Sequence, residues 1–532
     1  MASIIDQFPL EKPRQSQLEV LKAIEKAFSD GYRNVLLEAP VGSGKSAIAV
    51  AAAKHYGGAH ILTPRKALQD QYVGDFHNED LVSIKGRNAY PCTYPSGQNL
   101  ATYNPLVDKI SNGKVIFLSP GATSCAEGPC INSPDAKRAC TGGQNGDYPC
   151  PYHVAINVAQ KSSIAVSNLH SFIFQAYYAE RFEQRPLICV DEAHEMESIL
   201  RGFAEKTITI PKFVADETFD FKTIEEWVAY LETFREAFSA RAKTDEPSPR
   251  EEFELKLQDL LGLSETIGTS FVVDVDKDQP AKRSKFKFIP EYVGNLADRY
   301  ILNYGDKRLL MSGTIYSKEL YCRLNGLKVE ETCFIKIGSS FPKSNRPIYA
   351  KPEYMVDTSH KMWDTNFKVM IENIKKVMAV FHNVKGLIHS PSYYAGLSIV
   401  NALKSTGRVV THGKDNFQKA LHDFYASDKP LVMVSPICQQ GVDFKDDRAR
   451  FQIILRVPYP STSDKLMEKK VKEDFAYYNY QAIIIFGQQI GRINRSDDDF
   501  GVTVLMDERF NKFLESNKRV LPKWLLEAVL KH

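Results

Sequence analysis

The sequence predicts an α/β fold built on parallel sheets, and its alternating pattern supports this. Short apolar runs such as Asn34–Glu38 (NVLLE) end at loops and are followed by helical stretches such as Lys45–His55. The same alternation resumes at residue 308 and continues to residue 506. Strands that alternate with helices favour a parallel sheet. With 532 residues, the chain has room for three or four domains of roughly 150 residues each.

The remaining elements follow from the same pattern. A strand is predicted where a short, β-branched apolar run is bounded by turns, and an amphipathic helix is predicted over residues 65–76. In the first half, strands are predicted at 34–38, 60–63, 164–167, 187–190 and 308–312. In the second half, they are predicted at 386–389, 408–411, 431–434, 451–455 and 502–506.

Two segments interrupt this alternation. Residues 86–151 are rich in Gly, Pro, Asn, Ser and Cys and look like an insertion that buries little of its own surface. The second interruption, 212–291, is predicted to be a mostly helical lobe with a hairpin. Its predicted parts are helices at 223–242 and 250–261, a polar linker at 243–249, and strands at 270–274 and 284–289 joined by a charged turn.

Composition excludes several classes of protein. A net charge of +3 excludes a generally basic, histone-like binder but leaves room for a local basic groove. No run of about 18 apolar residues is present, so a membrane span is not expected. Residues 1–10 lack a basic region followed by an apolar stretch, so no secretory signal is expected. The protein is therefore expected inside the cell, where structural disulfides are uncommon.

A phosphate-binding loop is predicted between the first strand and the first helix of the alternation. Residues 39–46 read A-P-V-G-S-G-K-S, which departs from G-x-x-x-x-G-K-[ST] only at Ala39. The glycines would turn backbone N–H groups towards phosphate, Lys45 would neutralise it, and Ser46 would bind Mg²⁺. A glycine-rich turn with a chance lysine is disfavoured by the flanking strand and helix. The predicted nucleotide-binding residues are Pro40, Val41, Gly42, Ser43, Gly44, Lys45 and Ser46.

Two further motifs fit the chemistry of phosphate hydrolysis. Residues 187–194 read L-I-C-V-D-E-A-H, so Asp191 would stand at the carboxyl end of a buried strand and hold Mg²⁺. Glu192 would polarise the attacking water. Residues 488–495 read Q-Q-I-G-R-I-N-R, and Arg492 and Arg495 would share one helix face and reach a γ-phosphate across a cleft. An acidic loop and a surface helix are the simpler explanations when each motif is taken alone.

In this order, the three motifs resemble those of superfamily 2 helicases with two RecA-like motor domains. Further motifs resemble the XPD/DinG family of iron–sulfur DNA helicases. They are K-G-R-N-A-Y-P-C at 85–92, C-P-Y at 150–152, S-N-L-H at 167–170, M-S-G-T at 311–314, Q-G-V-D-F at 440–444 and R-F-Q-I-I-L-R-V-P-Y-P at 450–460.

The resemblance implies roles for residues outside the three motifs. Arg14 and Gln17 would sense the nucleotide, with Gln17 at the adenine edge, while His194 and Gln488 belong to motifs that bind it. Gly441 and Asp443 would contact both nucleotide and DNA. The other implied roles are DNA contacts by Thr63, Pro64, Arg65 and Ser390, and coupling of hydrolysis to domain movement by Ser312, Gly313 and Thr314.

Five crowded cysteines in the first insertion suggest a metal centre. They are Cys92, Cys125, Cys130, Cys140 and Cys150. Zinc and a 4Fe–4S cluster each need four thiolates, and spacing alone does not separate them. The family resemblance favours 4Fe–4S, with Cys92 and Cys150 as outer ligands. The inner pair comes from the other three, with a slight preference for Cys130 and Cys140. Lys85, Arg87 and Tyr90 beside the cluster could grip DNA.

The implied architecture is two RecA-like parallel-sheet domains, the first carrying an iron–sulfur insertion and a mostly helical arch. The expected boundaries are 1–85, 161–211 and 296–318 for the first motor domain, 86–160 for the cluster insertion, 212–295 for the arch, and 319–532 for the second motor domain. No segment before Arg14 is long enough for a fused nuclease, so none is expected.

The implied function is an ATP-dependent DNA helicase that travels 5′ to 3′ on single-stranded DNA. It would unwind forked duplex or RNA–DNA hybrid in repair, replication or recombination. A monomer is expected in bacterial or viral-host cytoplasm at the nucleoid, with a single-strand-binding protein as a candidate partner. Two alternatives stay open: an ATPase that remodels protein–DNA complexes, and a non-enzymatic scaffold subunit of a repair or transcription assembly. Intact Lys45, Asp191, Glu192 and Arg495 argue against the scaffold.

Overall fold

The computed structural model shows an α/β fold with two seven-stranded sheets. None of the helices in the described part of the chain combines the length and the apolarity that a membrane span requires. The structure describes residues 3–40, 42–77, 79–92, 110–111, 114–115, 124–126, 150–212, 214, 219–240, 248–267, 271–276, 283–339, 341–438, 442, 444, 446–494 and 499–531.

The strands and helices follow one another as the alternating pattern predicts. The strands are β1 (Asn34–Glu38), β2 (Ala59–Thr63), β3 (Leu81–Ile84), β4 (Ile110–Ser111), β5 (Lys114–Val115), β6 (Ile164–Asn168), β7 (Arg185–Val190), β8 (Lys206–Ile210), β9 (Phe271–Val275), β10 (Ser284–Pro290), β11 (Gly305–Ser312), β12 (Thr332–Lys336), β13 (Ile348–Tyr349), β14 (Gly386–His389), β15 (Val409–Val410), β16 (Val432–Ser435), β17 (Phe451–Ile454), β18 (Val502–Leu505) and β19 (Val529–Leu530). The α-helices are α1 (Gln15–Ser29), α2 (Lys45–His55), α3 (Lys66–Asp75), α4 (Pro151–Lys161), α5 (Leu169–Ile173), α6 (Met196–Ala204), α7 (Ile224–Glu232), α8 (Pro249–Ile267), α9 (Gly294–Tyr300), α10 (Lys318–Leu324), α11 (Trp363–Val380), α12 (Tyr393–Leu403), α13 (Phe417–Ala426), α14 (Lys465–Glu473), α15 (Phe475–Ile490), α16 (Phe510–Ser516) and α17 (Lys523–Leu526).

The first sheet has the strand order β12-β1-β11-β7-β2-β6-β3. Its pairs β11–β7, β7–β2, β2–β6 and β6–β3 are parallel. Strands β1 and β2 are buried at every position, as expected for a sheet covered on both faces. Because parallel strands end at the same edge, the loops after β2, β6, β7 and β11 lie at one edge of the sheet.

The second sheet has the order β15-β16-β14-β17-β18-β13-β19. Its paired strands, including the short outer ones, are parallel. Helices α11 and α12 supply residues to its core, which contains Ile374, Ile399 and Phe451. The five strands predicted in this half are all present. The short outer strands β13 and β19 were not predicted, because two-residue strands carry no periodic signal.

The described residues between 206 and 290 form a lobe of two α-helices and a small antiparallel sheet. Strand β10 pairs with both β8 and β9, so the predicted hairpin is present and β8 adds a third strand. Trp227 lies among aromatic rings, with Phe286 5.7 Å and Phe288 5.8 Å away between ring centroids. The lobe therefore holds its own apolar core between α7, α8 and the sheet.

One helix of the lobe is shorter than predicted. The pattern over 223–242 predicts a single helix, but α7 ends at Glu232 and a 3₁₀ turn follows at Arg235–Ala237. The ring of Phe238 then stacks on Phe253 of α8 at 4.4 Å. Packing of this ring against α8 redirects the chain where helical periodicity alone would continue it. The residues 241–247 of the predicted helix and linker lie outside the described part.

Two compact units divide the chain. The first comprises 1–36, 46–311 and 318–335, and the second comprises 37–45, 312–317 and 336–532. Most of the first sheet belongs to the first unit, and the second sheet belongs to the second. The two units place residues 37–45 and 312–317 with the second half of the chain, whereas the expected boundaries place them in the first motor domain. The expected domain boundaries stay predictions.

Candidate functional site

The predicted phosphate loop follows β1 and leads directly into α2. Gly42 and Gly44 have φ values of 80° and 77°, which side chains other than glycine rarely tolerate. The Lys45 ammonium donates to the carbonyls of Ala39 at 3.0 Å and Pro40 at 3.3 Å, so it closes over its own loop. The Ser43 hydroxyl donates to the Pro40 carbonyl. A glycine-bearing loop that leads into a helix N-terminus, with a lysine folded onto it, is suited to bind an anion.

The residues predicted to bind Mg²⁺ meet at a tyrosine in the first unit. Asp191 is buried, and its Oδ2 accepts a hydrogen bond from the Tyr72 hydroxyl at 3.1 Å. The same hydroxyl is hydrogen-bonded to the side chain of Ser46. Burial, followed by the nearby Asp191 charge, raises the pKa of Tyr72 well above its usual value. Tyr72 thus donates to the Asp191 carboxylate and accepts from the Ser46 hydroxyl. A carboxylate and a serine hydroxyl that meet at one tyrosine provide the hard oxygen ligands that Mg²⁺ prefers.

The predicted catalytic carboxylate stands on a tight, strained turn. Glu192 has φ +50°, a left-handed conformation that is uncommon for a side chain of this kind and that clusters at functional sites. Its N–H donates to Asp191 Oδ1 at 2.9 Å. Its carbonyl accepts the N–H of Glu195 at 2.9 Å, and the Ala193 carbonyl accepts the hydroxyl of Tyr321. These bonds hold the D-E-A-H turn in one conformation.

Charged side chains connect this turn to the loop after β2. His194 lies 3.3 Å from a Glu192 oxygen and 3.7 Å from a Glu195 oxygen. The same Glu195 oxygen lies 2.5 Å from a guanidinium nitrogen of Arg65. The structure therefore brings together three predicted residues, Arg65, Glu192 and His194, through Glu195, which the motifs did not single out.

The loop after β2 is held by the motif that follows β6. The amide of Asn168, within S-N-L-H, donates to the Pro64 carbonyl at 2.8 Å. The Thr63 hydroxyl donates to the Arg65 carbonyl. Thr63 is fully buried, whereas the Arg65 side chain is 29% exposed. Arg65 can therefore contact a ligand from solvent.

In the second unit, the end of β1 contacts the predicted coupling segment. The Ala39 N–H donates to the Ser312 carbonyl, and the carboxylate of buried Glu38 accepts the N–H of Tyr316. Burial raises the pKa of Glu38. The Ile315 carbonyl accepts the hydroxyl of Tyr480 on α15 at 2.7 Å. The segment Ser312–Ser317 is thus fastened both to the phosphate-loop strand and to the helix that leads into Q-x-x-G-R-x-x-R.

One arginine of the motif is described. Helix α15 ends at Ile490 with Gly491 as its cap, so Arg492 lies beyond the helix, while Arg495 lies outside the described residues and its predicted helix face stays a prediction. Glycine is a poor helix former and ends the run of periodicity here. The Arg492 guanidinium donates to the carbonyls of Gln488 at 3.0 Å and Val442 at 2.9 Å. This places Arg492 beside Val442, a described residue of the Q-G-V-D-F motif.

Three other predicted residues are placed with little exposure. The Gln17 amide oxygen accepts the Arg14 N–H at 2.8 Å and closes the first turn of α1, and the Gln17 side chain is buried. Ser390 is buried, and its hydroxyl donates to the Ser392 carbonyl. Tyr90 is 8% exposed and its hydroxyl accepts the Lys85 N–H. Tyr90 therefore presents no open ring face on which a base could stack.

Two of the five crowded cysteines lie side by side. Cys125 Sγ is 3.7 Å from Cys150 Sγ, and Cys125 also contacts the carbonyl of Pro91, next to Cys92. Hydrogen bonding to Cys125 and to backbone N–H groups at the start of α4 lowers the pKa of Cys150 to about 6. The same hydrogen bond, with burial, raises the pKa of the Cys125 thiol. Two adjacent sulfurs, of which Cys150 favours the thiolate, fit the sulfur donors that zinc or an iron–sulfur cluster requires. Among the described residues, however, no three His, Cys, Asp or Glu side chains are arranged to hold a metal ion.

Several predicted site residues lie outside the described part of the chain. They are Val41, Cys130, Cys140, Gly441, Asp443 and Arg495.

Three residues in this site were not singled out by the sequence. Tyr72 is one of several apolar positions on α3, and it becomes informative only once β7 is placed beside it. Asn168 lies inside S-N-L-H, and Glu195 directly follows D-E-A-H. Their positions in or beside these motifs are the sequence signal that could have pointed to them.

Comparison with family models gives two matches. The model described as "Helicase C-terminal domain" matches residues 374–528, and the model described as "Type III restriction enzyme, res subunit" matches residues 10–210. The first match covers the second sheet from α11 onwards. The second covers the phosphate loop and the D-E-A-H turn.

Individual proteins agree with these matches. The chain is 31% identical over 106 residues to a regulator of telomere elongation helicase 1 homolog of Caenorhabditis elegans, covering 17% of this chain and 10% of that protein. It is 26% identical over 96 residues to the general transcription and DNA repair factor IIH helicase subunit XPD of Dictyostelium discoideum, covering 16% and 12%. The chain thus matches only about a tenth of the length of these relatives.

A solved structure titled "XPD_Helicase" matches along the whole chain. Its TM-score is 0.64 at 16% identity, and the match covers 98% of this chain and all of that one. This likeness shows the fold: two RecA-like domains. Together with the two model matches and the XPD relative, it makes the chain similar to XPD/DinG-like helicases of superfamily 2.

Proposed function

We propose that this protein is an ATP-dependent motor that moves along single-stranded DNA and separates duplex strands. The observation that carries the proposal is the cluster of Ser46, Tyr72 and Asp191, which directly follows the phosphate loop along the chain at Ser46. A buried carboxylate at the end of β7 and a hydroxyl at the start of α2, joined through one tyrosine, supply the oxygen ligands for the Mg²⁺ that phosphoryl transfer uses. The model described as "Helicase C-terminal domain", which matches residues 374–528, supports the choice of reaction.

The chain's own residues would divide the chemistry as follows. The Lys45 ammonium would leave the carbonyls of Ala39 and Pro40 and meet the β and γ phosphates, which are stronger acceptors. Asp191 and Ser46 would hold Mg²⁺, which neutralises phosphate charge when it is bound. Glu192 would orient the attacking water. Arg492 and Arg495 would stabilise the charge that develops on the γ-phosphate.

Movement along DNA needs the hydrolysis site to be connected to other parts of the chain. The segment Ser312–Ser317 supplies one such connection through Glu38 and Tyr480. Arg65 would contact the DNA backbone in the first unit. By the family resemblance, travel is 5′ to 3′, the substrates are forked duplex and RNA–DNA hybrid in repair, replication or recombination, and the protein works as a monomer at the nucleoid in the cytoplasm.

A 4Fe–4S cluster would complete the cysteine insertion. On sequence alone, Cys130 and Cys140 are slightly preferred as the inner ligands, which leaves Cys125 out. The sulfurs of Cys125 and Cys150 lie 3.7 Å apart, and this proximity favours Cys125 as a ligand. We propose Cys92, Cys125, Cys150 and one of Cys130 and Cys140 as ligands. The cluster would supply structural cross-linking to an insertion with little core. Iron and zinc analysis of the purified protein tests this, with about four irons expected and stoichiometric zinc contradicting it.

The rival functions make different predictions in one assay. A forked DNA duplex with a fluorescent strand is mixed with ATP and either the wild type or Lys45→Ala. Lys54→Ala, on the same helix as Lys45 but away from the loop, is the control. Strand release by the wild type and by Lys54→Ala, and none by Lys45→Ala, is expected of a helicase. ATP hydrolysis without strand release would instead favour remodelling of protein–DNA complexes, and neither activity would favour a scaffold.

A further inference from the structure

We propose that the Arg65–Glu195 ion pair senses bound nucleic-acid phosphate and sets the position of Glu192, so that Glu195 is a positioning residue for hydrolysis. The inference rests on the proposed function, in which a DNA strand passes Arg65. Its starting observation is the 2.5 Å contact between a guanidinium nitrogen of Arg65 and Oε1 of Glu195. These residues are 130 positions apart, so the pair joins the loop after β2 to the D-E-A-H turn.

Two paths connect Glu195 to Glu192. Through the backbone, the Glu195 N–H donates to the Glu192 carbonyl at 2.9 Å. Through side chains, His194 lies 3.7 Å from the Glu195 oxygen that Arg65 contacts and 3.3 Å from Glu192 Oε2. The His194 side chain is only 7% exposed. A shift of the Glu195 carboxylate is therefore transmitted to Glu192 rather than absorbed by solvent.

The pair is suited to exchange its partner. The side chains of Arg65 and Glu195 are 29% and 18% exposed, and ion pairs with such access to water contribute little to stability. A guanidinium binds phosphate oxygens through two parallel hydrogen bonds. A strand that lies along this edge of the sheet can thus take Arg65 from Glu195 at small cost.

Exchange has a defined consequence for the catalytic turn. Without DNA, Arg65 holds the Glu195 carboxylate. When a phosphate takes Arg65, the freed carboxylate pairs with His194 and draws it towards Glu195. Because Glu192 Oε2 lies 3.3 Å from His194, this movement changes the direction of the Glu192 side chain. Hydrolysis then depends on whether Arg65 is engaged by DNA.

This mechanism predicts opposite effects from the two halves of the pair. Arg65→Gln frees Glu195, so the DNA-free rate of ATP hydrolysis should rise about fivefold or more and further DNA should add little. Glu195→Gln removes the charge that engages His194, so the DNA-free rate should stay low and DNA should no longer raise it. The double variant should behave as Glu195→Gln does. In all three, KM for ATP should change less than kcat.

Glu79→Gln is the matched control. It breaks the Lys54–Glu79 pair, in the same unit, whose side chains have the same exposures of 29% and 18% at a distance of 2.8 Å. Its DNA-free and DNA-stimulated rates should equal those of the wild type. Steady-state ATP hydrolysis is measured for all variants with and without poly-dT, and thermal unfolding confirms that each is folded.

The outcomes separate this inference from the proposed function. Equal effects of Arg65→Gln and Glu195→Gln on the DNA-free rate, or wild-type stimulation in Glu195→Gln, overturn the sensor and leave the motor intact. If one of the single variants does not fold, the hydrolysis rates of the other variant and of Arg65→Lys test the sensor. Arg65→Lys keeps the charge but loses the paired hydrogen bonds, so DNA should stimulate its hydrolysis less than that of the wild type. A wild type that does not hydrolyse ATP overturns the proposed function and the inference with it.

Discussion

The strand-end site of the first unit and the lobe at 206–290 use burial in opposite ways. Around the strand-end site, buried Tyr72 and Asp191 are bonded to each other and, through the Tyr72 hydroxyl, to half-buried Ser46. In the lobe, the buried groups are rings, with Trp227 packed among Phe219, Phe286 and Phe288. Polar burial costs free energy unless every group is paired, whereas ring burial stabilises directly. This difference indicates that the buried residues of the strand-end site serve chemistry, whereas those of the lobe serve packing.

The largest effect is expected at Glu192. Glu192→Gln keeps the shape of the side chain but cannot polarise water, so kcat for ATP hydrolysis should fall about 10²- to 10⁴-fold. Binding of ATP should persist, because the phosphate loop is untouched. Glu205→Gln, on a carboxylate that pairs with Lys287 near the lobe, is the control. Fluorescent-nucleotide binding and steady-state hydrolysis measure the two quantities, and an unchanged kcat in Glu192→Gln would remove Glu192 from the chemistry.

A ring in the lobe should affect stability instead of rate. Trp227→Ala removes a side chain that is 8% exposed and leaves a cavity, at a cost of about 3–5 kcal/mol. DNA-free ATP hydrolysis should stay within about twofold of the wild type at low temperature. Urea unfolding followed by tyrosine and tryptophan fluorescence gives the first quantity. A large loss of hydrolysis in a folded Trp227→Ala protein would contradict the separation of the two regions.

Buried histidines near the sheets predict how stability depends on pH. His60 is enclosed by Phe172 and Phe182, and burial, with Arg185 nearby, lowers its pKa to about 3. An unfolded chain binds the proton near pH 6.5 and the folded one does not, so this contribution is complete above pH 6.5 and is lost as pH falls towards 3. His389 in the second unit, with a pKa lowered to about 4 by burial, has the same sign.

The test is His60→Gln, which keeps a donor for the Glu183 carbonyl, bonded to His60 at 2.8 Å, and does not titrate. Between pH 6 and 4.5, the variant's unfolding free energy should fall less steeply than that of the wild type, by up to about 1.4 kcal/mol per pH unit. Urea titrations at four pH values measure the slopes. Identical slopes would mean that His60 does not stay neutral in the folded protein.

The smallest effect is expected at Tyr72. Tyr72→Phe removes the hydroxyl that joins Ser46 to Asp191 but keeps the ring, so kcat/KM for MgATP should fall about 3- to 10-fold. Tyr56→Phe, on the same unit and outside the cluster, should have no effect. Hydrolysis rates across a Mg²⁺ titration give the comparison. An effect of equal size in both variants would show that Tyr72 only packs.

Much of the fold could be predicted because short stretches of sequence determine where its strands and helices begin and end. Strand β1, helix α2 and strand β14 begin and end where periodicity and glycine-bearing loops place them, and the strand-end motifs locate the site. What could not be predicted are contacts across long sequence separations. Tyr72 and Asp191 are 119 residues apart, and Arg65 and Glu195 are 130 apart. Strand β8 was missed because its partner β10 lies more than 70 residues further on, and the length of α7 is decided by ring packing of Phe238.

The central claim is that the loop at Ala39–Ser46 drives a DNA-dependent ATPase. The most direct test is steady-state ATP hydrolysis by the wild type and Lys45→Ala, each with and without single-stranded DNA. We expect the wild type to be stimulated by DNA and the variant to lose at least about 100-fold in both conditions, because no other cation of the loop can meet the β and γ phosphates. Hydrolysis by Lys45→Ala at the wild-type rate in the presence of single strands would contradict the account.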